Sequence, residues 1–253
     1  MEEYRDTKIP MLGDIAPEFH TVTTRGELHF PQNYHGSWVV LFSYYADFTP
    51  VCTTELMTFA SMVNEFKTIG TELIGLSNDS IYSHIAWLRK MKEFSWKDLK
   101  HLEISFPVIS DVTMDIAKRY GMLQNSSSKL QLVRAVFIID PEGRIRAITF
   151  YPAAIGRNIS EIKRTVMALQ RADTEKVSTP ANWQPEEDVI LLPPSTCNAA
   201  SERTEKVSDN MYSLDWFMSF QQSSGEVPAK QKEPEINAYP SVYQNRGRYR
   251  YRT

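Results

Sequence analysis

The sequence contains few cysteines. Its 253 residues include two, Cys52 and Cys197, and two thiols cannot form the disulfide framework that holds small secreted domains together. They are also too few for a closed zinc site, which takes four protein ligands. A free cysteine is most often a small buried hydrophobe, so a chemical role for either thiol depends on its neighbours.

A strong net charge and a long hydrophobic run are also missing. The 28 basic and 31 acidic side chains give a formal charge of -3, which creates no overall field to recruit nucleic acid or an anionic membrane. No stretch approaches the roughly 20 apolar residues of a membrane-spanning helix, and the first ten residues, MEEYRDTKIP, are charged. We therefore expect a cytoplasmic protein with no membrane partner, and nucleic acid binding is not expected.

The composition changes along the chain. Overall it is 42% hydrophobic and 23% charged, as in ordinary soluble globular proteins. After Asp173, prolines become frequent and the apolar runs are short; beyond about Glu226, glutamine, proline and charged residues prevail. We predict a main domain over 1–172, a small module over 173–225 that must pack on it or on a partner subunit, and a disordered tail over 226–253.

Strand and helix patterns alternate within the main domain. The run WVVLFSY at 38–44 and the run ELIGLS at 72–77 are typical of buried parallel strands. Between them, apolar residues at steps of three and four over 53–68 predict a helix. Cys52 thus lies at the corner where a strand gives way to a helix.

Further elements follow the same alternation. Periodicity predicts helices over 80–92, 111–120 and from Asn158 to about Arg171, a strand over 106–109, and a hairpin over 135–151 that turns at 140–143. A sheet with helices on both faces and a cysteine after its first strand predicts an α/β, thioredoxin-like fold with a small C-terminal module. The fold alone does not identify the function.

The position of Cys52 favours a reactive thiol. A sulfur at a helix N-terminus lies near unpaired backbone N–H groups and the positive end of the helix dipole, and both stabilise a thiolate. Thr49 precedes it by three residues, close enough in a turn for its hydroxyl to contact the sulfur or a bound oxygen, and Glu55 follows by three. Packing cysteines also occur at helix starts, so these features alone leave both roles open.

The segment ADFTPVCTTEL at 46–56 closely resembles the active-site segment of the one-cysteine branch of the peroxiredoxin (AhpC/TSA) family. The resemblance continues in LIGLSNDSIYSHIAW at 73–87, FPVISD at 106–111, VRAVFIIDPEGRIR at 133–146 and YSLDWF at 212–217. It implies a peroxidase that reduces hydrogen peroxide or small organic hydroperoxides through a cysteine sulfenic acid, with an external thiol as reductant. It implies no metal, haem or flavin cofactor, and a homodimer or a ring of dimers.

The resemblance also assigns roles to individual residues. Cys52 is the peroxidatic cysteine, Thr49 the active-site threonine, Arg134 the arginine that enters the pocket from a later strand, and Glu55 the acid that holds arginine. An arginine does not lose its proton in a protein, so Arg134 beside Cys52 would favour the thiolate and orient the peroxide. Pairing of Arg134 with surface carboxylates is the alternative.

Two residues of the active-site loop depart from the family pattern. Tyr45 stands where the motif has proline, and Tyr44 where this branch commonly has histidine. Loss of a rigid proline could relax the loop, although Tyr45 could also cover the sulfur and contact the peroxide. The alternative function is therefore a redox sensor or chaperone-like scaffold with slow turnover.

Several other features remain open. Cys197 is either a resolving thiol or a bystander, and Trp216 lies either near a pocket, its own or a neighbouring subunit's, or in the core. A thioredoxin-like disulfide reductase is disfavoured because the sequence has no Cys-x-x-Cys pair.

The basic and aromatic segment RGRYRYR at 246–252 is either a solvated tail or a surface for single-stranded RNA or an anionic partner. The spacing of the five histidines shows no metal-ligand pattern; they are His20, His29, His35, His84 and His101.

Overall fold

The computed structural model describes residues 9–126, 129–205 and 210–223. The α-helices in these ranges are α1 (Pro50–Thr68), α2 (Ile81–Met91), α3 (Asp115–Arg119), α4 (Ile159–Glu175) and α5 (Cys197–Glu205). The strands are β1 (Phe19–Thr23), β2 (Gly26–Phe30), β3 (Trp38–Ser43), β4 (Thr71–Ser77), β5 (Ser95–Trp96), β6 (Leu99–Lys100), β7 (Val108–Ser110), β8 (Leu123–Ser126), β9 (Lys129–Leu132), β10 (Arg134–Ile139), β11 (Ile145–Tyr151), β12 (Val177–Ser178), β13 (Val189–Leu191), β14 (Met211–Asp215) and β15 (Met218–Gln221). None of the helices in the described ranges is both long and apolar enough to cross a membrane.

A seven-stranded sheet forms the centre of the described fold. Its strand order is β11, β10, β3, β4, β7, β1, β2. β3 runs parallel to β4 and β4 parallel to β7, whereas the other neighbouring pairs are antiparallel. All six residues of β3 are buried, as expected for a strand that is covered on both faces. This architecture confirms the predicted α/β class.

The side chains of β3 divide between two hydrophobic cores. Trp38, Val40 and Phe42 point to the face covered by α1, α2 and α4. Val39 and Leu41 point to the opposite face and pack with residues of α3 and of the β1–β2 hairpin. Successive residues of a strand alternate in direction, so one continuous apolar run supplies both cores.

The predicted unit around Cys52 is confirmed as β3, α1 and β4. Helix α1 begins at Pro50, before the predicted start at Thr53, because the fixed φ of proline suits the first position of a helix. The hairpin predicted over 135–151 is also present as β10 and β11, and Gly143 adopts a φ of +79° in its turn. Cys52 consequently lies within the first turn of α1.

Other elements differ from the sequence prediction. Helix α3 is shorter than 111–120, because the Asp111 carboxylate lies before the helix and accepts hydrogen bonds from the N–H groups of Ile116 and Ala117, at 3.2 and 2.7 Å. Helix α4 continues past Arg171 to Glu175. The β1–β2 hairpin is not predicted at all, since its short strands mix polar and apolar residues without a long run.

The chain after α4 forms a separate four-stranded sheet in the order β12, β13, β15, β14. Its small core contains Val177, Trp183 and Val189, and it packs on Met167 and Ala168 of α4. A core with so few apolar residues is not stable alone. The four-stranded sheet therefore needs its packing against α4, as the composition of this module predicts. The boundaries 1–172 and 173–225 stay predictions, and the predicted tail over 226–253, with its RGRYRYR segment, lies outside the described residues.

Gly75 of β4 provides the first testable prediction. A Cβ atom on Gly75 would lie 3.3 Å from Cζ of Phe42, whose ring stacks on Phe59 of α1 with 4.1 Å between centroids. Gly75→Val should therefore displace this ring and lower the free energy of unfolding by about 1–3 kcal/mol, measured by urea denaturation.

Gly156→Ala is the control for this substitution. Its new Cβ would lie 3.5 Å from Cγ1 of Val51, an ordinary contact, so the free energy of unfolding should change by less than about 1 kcal/mol. An equal loss in both variants would contradict the packing argument.

Candidate active site

Cys52 is buried in the first turn of α1, with no exposed surface. Thr49 is the N-cap residue, and its carbonyl accepts the first intrahelical bond, from the N–H of Thr53 at 2.9 Å. The N–H groups of Val51 and Cys52 come before that bond, in the part of a helix where donors lack intrahelical partners. The sulfur thus lies at the positive end of the helix dipole.

Arg134 reaches this sulfur from the first position of β10. Its Nη1 lies 3.1 Å from Sγ of Cys52, and its Nε and Nη2 donate to the carbonyl of Ala153 at 3.0 and 2.7 Å. The side chain is 2% exposed. Because both ends of the guanidinium group are bonded, its orientation toward the sulfur is fixed.

Glu55 joins Arg134 to a second arginine, Arg157. Its Oε2 accepts hydrogen bonds from Nη1 of Arg134 at 2.8 Å and from Nη2 of Arg157 at 2.7 Å. Its Oε1 accepts from the backbone N–H and Nε of Arg157, at 2.8 and 2.9 Å. A single carboxylate therefore aligns two guanidinium groups, one of which contacts the sulfur of Cys52.

Arg157 is not identified from the sequence. It lies between β11 and α4, where a charged residue is usually solvated, yet its side chain is 0% exposed. Its Nη1 donates to the carbonyls of Ser43 and Ala135 at 2.8 and 3.0 Å, and its guanidinium carbon lies 5.3 Å from the ring centroid of Phe42. No local pattern in a single sequence reveals contacts with two strands that lie so far away along the chain.

The charges of this buried group do not cancel without the sulfur. Arg134 and Arg157 carry one positive charge each, and Glu55 carries one negative charge. Burial of an unbalanced charge is unfavourable, so an anionic sulfur at Cys52 would complete the charge balance. The arrangement brings together three of the predicted site residues, Cys52, Glu55 and Arg134.

Thr49, the N-cap residue of α1, makes a local side-chain contact. Its hydroxyl donates to the carbonyl of Ala46 at 2.8 Å, instead of to the Cys52 sulfur. The bond fixes the proton of the hydroxyl and leaves the oxygen as an acceptor for a donor that enters the site. Tyr45 is partly buried and packs against the core that contains Cys52.

Tyr44 belongs to a second buried group, with Asp47 and His84. The Tyr44 hydroxyl donates to Oδ1 of Asp47 at 2.9 Å, and Nδ1 of His84 lies 2.8 Å from Oδ2 of the same carboxylate. Nε2 of His84 lies 3.1 Å from the carbonyl of Ile109, and the backbone N–H of Asp47 donates to Oδ2 of Asp79 at 2.8 Å. These bonds fix the loop between β3 and α1, where Tyr45 replaces the rigid proline of the family pattern.

The remaining candidates lie on the surface. Both cysteines are free thiols, and Cys197 is exposed at the start of α5. Trp216 is 44% exposed in the turn between β14 and β15 and contacts Phe217 edge to face. The core alternative for Trp216 is therefore wrong in this chain.

Comparison with known proteins identifies the family. The model of the AhpC/TSA family matches residues 12–148, and the model of the C-terminal domain of 1-Cys peroxiredoxin matches residues 168–206. The chain belongs to the peroxiredoxin family. This peroxiredoxin is a thiol-dependent peroxidase, which confirms the function that the segment around Cys52 predicts.

Individual relatives agree with this assignment. A peroxiredoxin of Methanosarcina mazei is 59% identical over 211 residues, which cover 83% of this chain and 96% of that protein. A peroxiredoxin of Aquifex aeolicus is 46% identical over 220 residues, with 83% and 96% coverage. The chain thus spans nearly the whole length of both relatives.

Solved structures confirm the predicted thioredoxin-like fold with its C-terminal extension. A yeast mitochondrial 1-Cys peroxiredoxin, studied for its thiol resolving mechanism via glutathione/thioredoxin systems, has a TM-score of 0.72 and 37% identity over 85% of this chain and 100% of its own. A mutant of peroxiredoxin 6 of Arenicola marina has a TM-score of 0.71 and 32% identity, with 85% and 99% coverage.

The bridging carboxylate provides the second prediction. Glu55→Gln removes the negative charge between two buried guanidinium groups, so the free energy of unfolding should fall by about 3–5 kcal/mol, measured by urea denaturation. Glu65→Gln is the matched control, because Glu65 lies on the same helix and pairs with Lys163 of α4 at the surface. Its loss should not exceed about 1 kcal/mol, and similar losses in both variants would contradict the bridging role.

The buried phenol of Tyr44 provides a prediction about pH. Burial raises its pKa well above the usual 10.0, and the Asp47 carboxylate raises it further. The folded protein therefore keeps this proton, whereas the unfolded chain releases it above about pH 10. The raised pKa of Tyr44 therefore adds to the free energy of unfolding. This contribution is complete below about pH 10 and is lost as the pH rises toward the pKa of Tyr44 in the folded state.

Above pH 10, the unfolding free energy of the unmodified protein should therefore fall more steeply than that of Tyr44→Phe, by about 1.4 kcal/mol per pH unit. Chemical denaturation over a series of alkaline buffers measures both slopes. Tyr82→Phe is the control, since Tyr82 is 81% exposed and its loss should leave the slope unchanged. Parallel curves for the unmodified protein and Tyr44→Phe would refute the prediction.

Proposed function

We propose that Cys52 is the nucleophile of the peroxidase reaction and that Arg134 and Thr49 position the peroxide. The observation that carries this proposal is the 3.1 Å contact between Nη1 of Arg134 and Sγ of Cys52 at the start of a helix. A fixed cation and free helix donors are the conditions that favour a thiolate over a thiol. Glu55 and Arg157 are positioning residues that hold this cation in place.

In the first step, the Cys52 thiolate attacks the terminal oxygen of a hydroperoxide. A sulfur–oxygen bond forms while the oxygen–oxygen bond breaks, the sulfur is oxidised to sulfenic acid, and the departing oxygen takes a proton to leave as water or an alcohol. The donors of Arg134 stabilise the charge that develops on the two oxygens. The Thr49 oxygen, whose proton is donated to the carbonyl of Ala46, accepts the hydrogen bond of the hydroperoxide O–H group in this proposal.

In the second step, an external thiol reduces the sulfenic acid. Its sulfur attacks the Cys52 sulfur, which releases water and forms a mixed disulfide, and a further thiol releases the reduced enzyme. The exposure of Cys197, against the full burial of Cys52, favours a bystander role for Cys197. The glutathione and thioredoxin systems named for the yeast structure are the reductant classes to test first.

The assembly and the location follow from the same proposal. Leu214, Trp216 and Phe217 are 68%, 44% and 51% exposed on one hairpin, and exposed apolar side chains grouped in this way favour contact with a second subunit. We therefore expect a homodimer, or a ring of such dimers. Thiol reductants are maintained in reducing compartments, which favours the cytoplasm.

The alternative of a slow sensor or scaffold rests on Tyr45 in place of proline. The site assembles in spite of this replacement, since Arg134 contacts Cys52 and the Asp47 bonds hold the loop. Family membership also favours turnover. We therefore keep the peroxidase as the function of this site.

Stopped-flow oxidation by hydrogen peroxide provides the fourth prediction. The unmodified protein should react far faster than a free thiol, and Cys52→Ser should show no fast reaction with hydrogen peroxide. Arg134→Lys should react more slowly by about 10²-fold or more, because the substitution removes fixed donors. Cys197→Ser is the control and should react at the rate of the unmodified protein.

Mass spectrometry after a single turnover completes this test. Sulfenic acid at Cys52 in both the unmodified protein and Cys197→Ser supports the external reductant. A Cys52–Cys197 disulfide would reassign the second step, and a rate no faster than that of a free thiol would defeat the proposed roles at this site.

A further inference from the structure

Two exposed histidines face each other on the β1–β2 hairpin, at the edge of the central sheet. His20 and His29 are direct partners in the antiparallel register, and their rings stack with 3.9 Å between centroids and an interplanar angle of 11°. Glu27 lies on the same outer face, and its carboxylate is 3.7 Å from Nε2 of His20. Nine positions separate the histidines in sequence, so their spacing shows no metal-ligand pattern, but the turn brings them together.

The hairpin holds these side chains in place from its other face. Phe19 and Phe30 are the neighbouring partners in the register, and their buried rings stack with 4.9 Å between centroids. A slip of either strand by one residue would turn its phenylalanine ring toward solvent, so the packing fixes the alignment of the strands. The backbone positions of the three polar residues are therefore fixed in the fold.

The distances are compatible with one shared ion. One nitrogen from each histidine and one carboxylate oxygen lie within 4.8 Å of one another. A tetrahedral ion bound at about 2.0–2.1 Å needs ligand atoms about 3.3–3.5 Å apart. The ring nitrogen lone pairs of the stacked histidines lie in nearly parallel planes, so the rings must turn out of the stack before both nitrogens face one ion. The His20 and Glu27 side chains are 55% and 72% exposed, which allows these side-chain rotations without movement of the strands.

We propose that His20, His29 and Glu27 form a binding site for a divalent transition-metal ion, with water at the open coordination position. Imidazole nitrogen with one carboxylate suits Zn²⁺, Co²⁺, Ni²⁺ and Cu²⁺, whereas Mg²⁺ and Ca²⁺ prefer oxygen ligands alone. The site is distinct from the residues around Cys52 and takes no part in the peroxidase reaction. Its bound ion crosslinks β1 and β2, the pair of strands at one edge of the sheet.

Titration of the full chain with Co²⁺ and Zn²⁺ tests the proposal. Cobalt bound by nitrogen and oxygen gives weak visible bands, whereas a cobalt–thiolate bond adds an intense charge-transfer band, so the spectrum separates this site from Cys52 and Cys197. We expect one Co²⁺ per chain without the thiolate band, displacement by Zn²⁺, and no displacement by excess Mg²⁺.

Substitution of the ligands provides the decisive comparison. His20→Gln and His29→Gln should each weaken this binding by more than about tenfold, since loss even of outer-sphere partners costs that much, and Glu27→Gln should weaken it less. His101→Gln, a change at another exposed histidine, should leave it unchanged. All four variants should keep the peroxide reactivity of Cys52, which reports an intact fold.

The proposal fails if the unmodified protein takes up no Co²⁺ or Zn²⁺ at about millimolar concentration. It fails equally if His20→Gln and His29→Gln bind like the unmodified protein, or if the spectrum shows thiolate ligation alone. A zinc-dependent rise in melting temperature that both variants lose would support it through a second readout, because an ion that binds only the folded chain stabilises it.

Discussion

The site around Cys52 depends on one interaction, the hydrogen bonding of a single carboxylate to two buried arginines. Glu55 lies on α1, Arg134 on β10, and Arg157 in the segment that leads into α4. The carboxylate therefore ties together the helix that carries Cys52, the strand that carries the arginine beside its sulfur, and the segment before α4. Without Glu55, two positive charges would repel each other in a region that excludes water.

The sequence predicts the parts of this site that follow from local pattern or from a close motif. A strong apolar run and a helical stripe predict β3 and α1, and these fix the corner at which Cys52 lies. Resemblance to the family predicts Arg134 and Glu55. Arg157 could not be predicted, because its burial results from contacts with β3, β10 and α1 that no nearby residue indicates.

The same limit applies to the other polar groups. Asp47 and His84 meet only after β4 has placed α2 beside the active-site loop. His20 and His29 become neighbours only through the register of a hairpin whose strands are too short and too mixed in composition to be predicted. Pairing between separate elements decides both contacts, whereas sequence periodicity reports the immediate surroundings of each residue.

The complete burial of Cys52 limits what can reach its sulfur in the folded protein. A residue with no exposed surface is closed to a water-sized molecule, and therefore to a peroxide as well as to a larger thiol. If Cys52 has the proposed role, both of its reactions need the residues around the sulfur to move, and the larger thiol needs the larger opening. Substitutions that rigidify the start of α1 would then slow reduction by a thiol more than the reaction with peroxide.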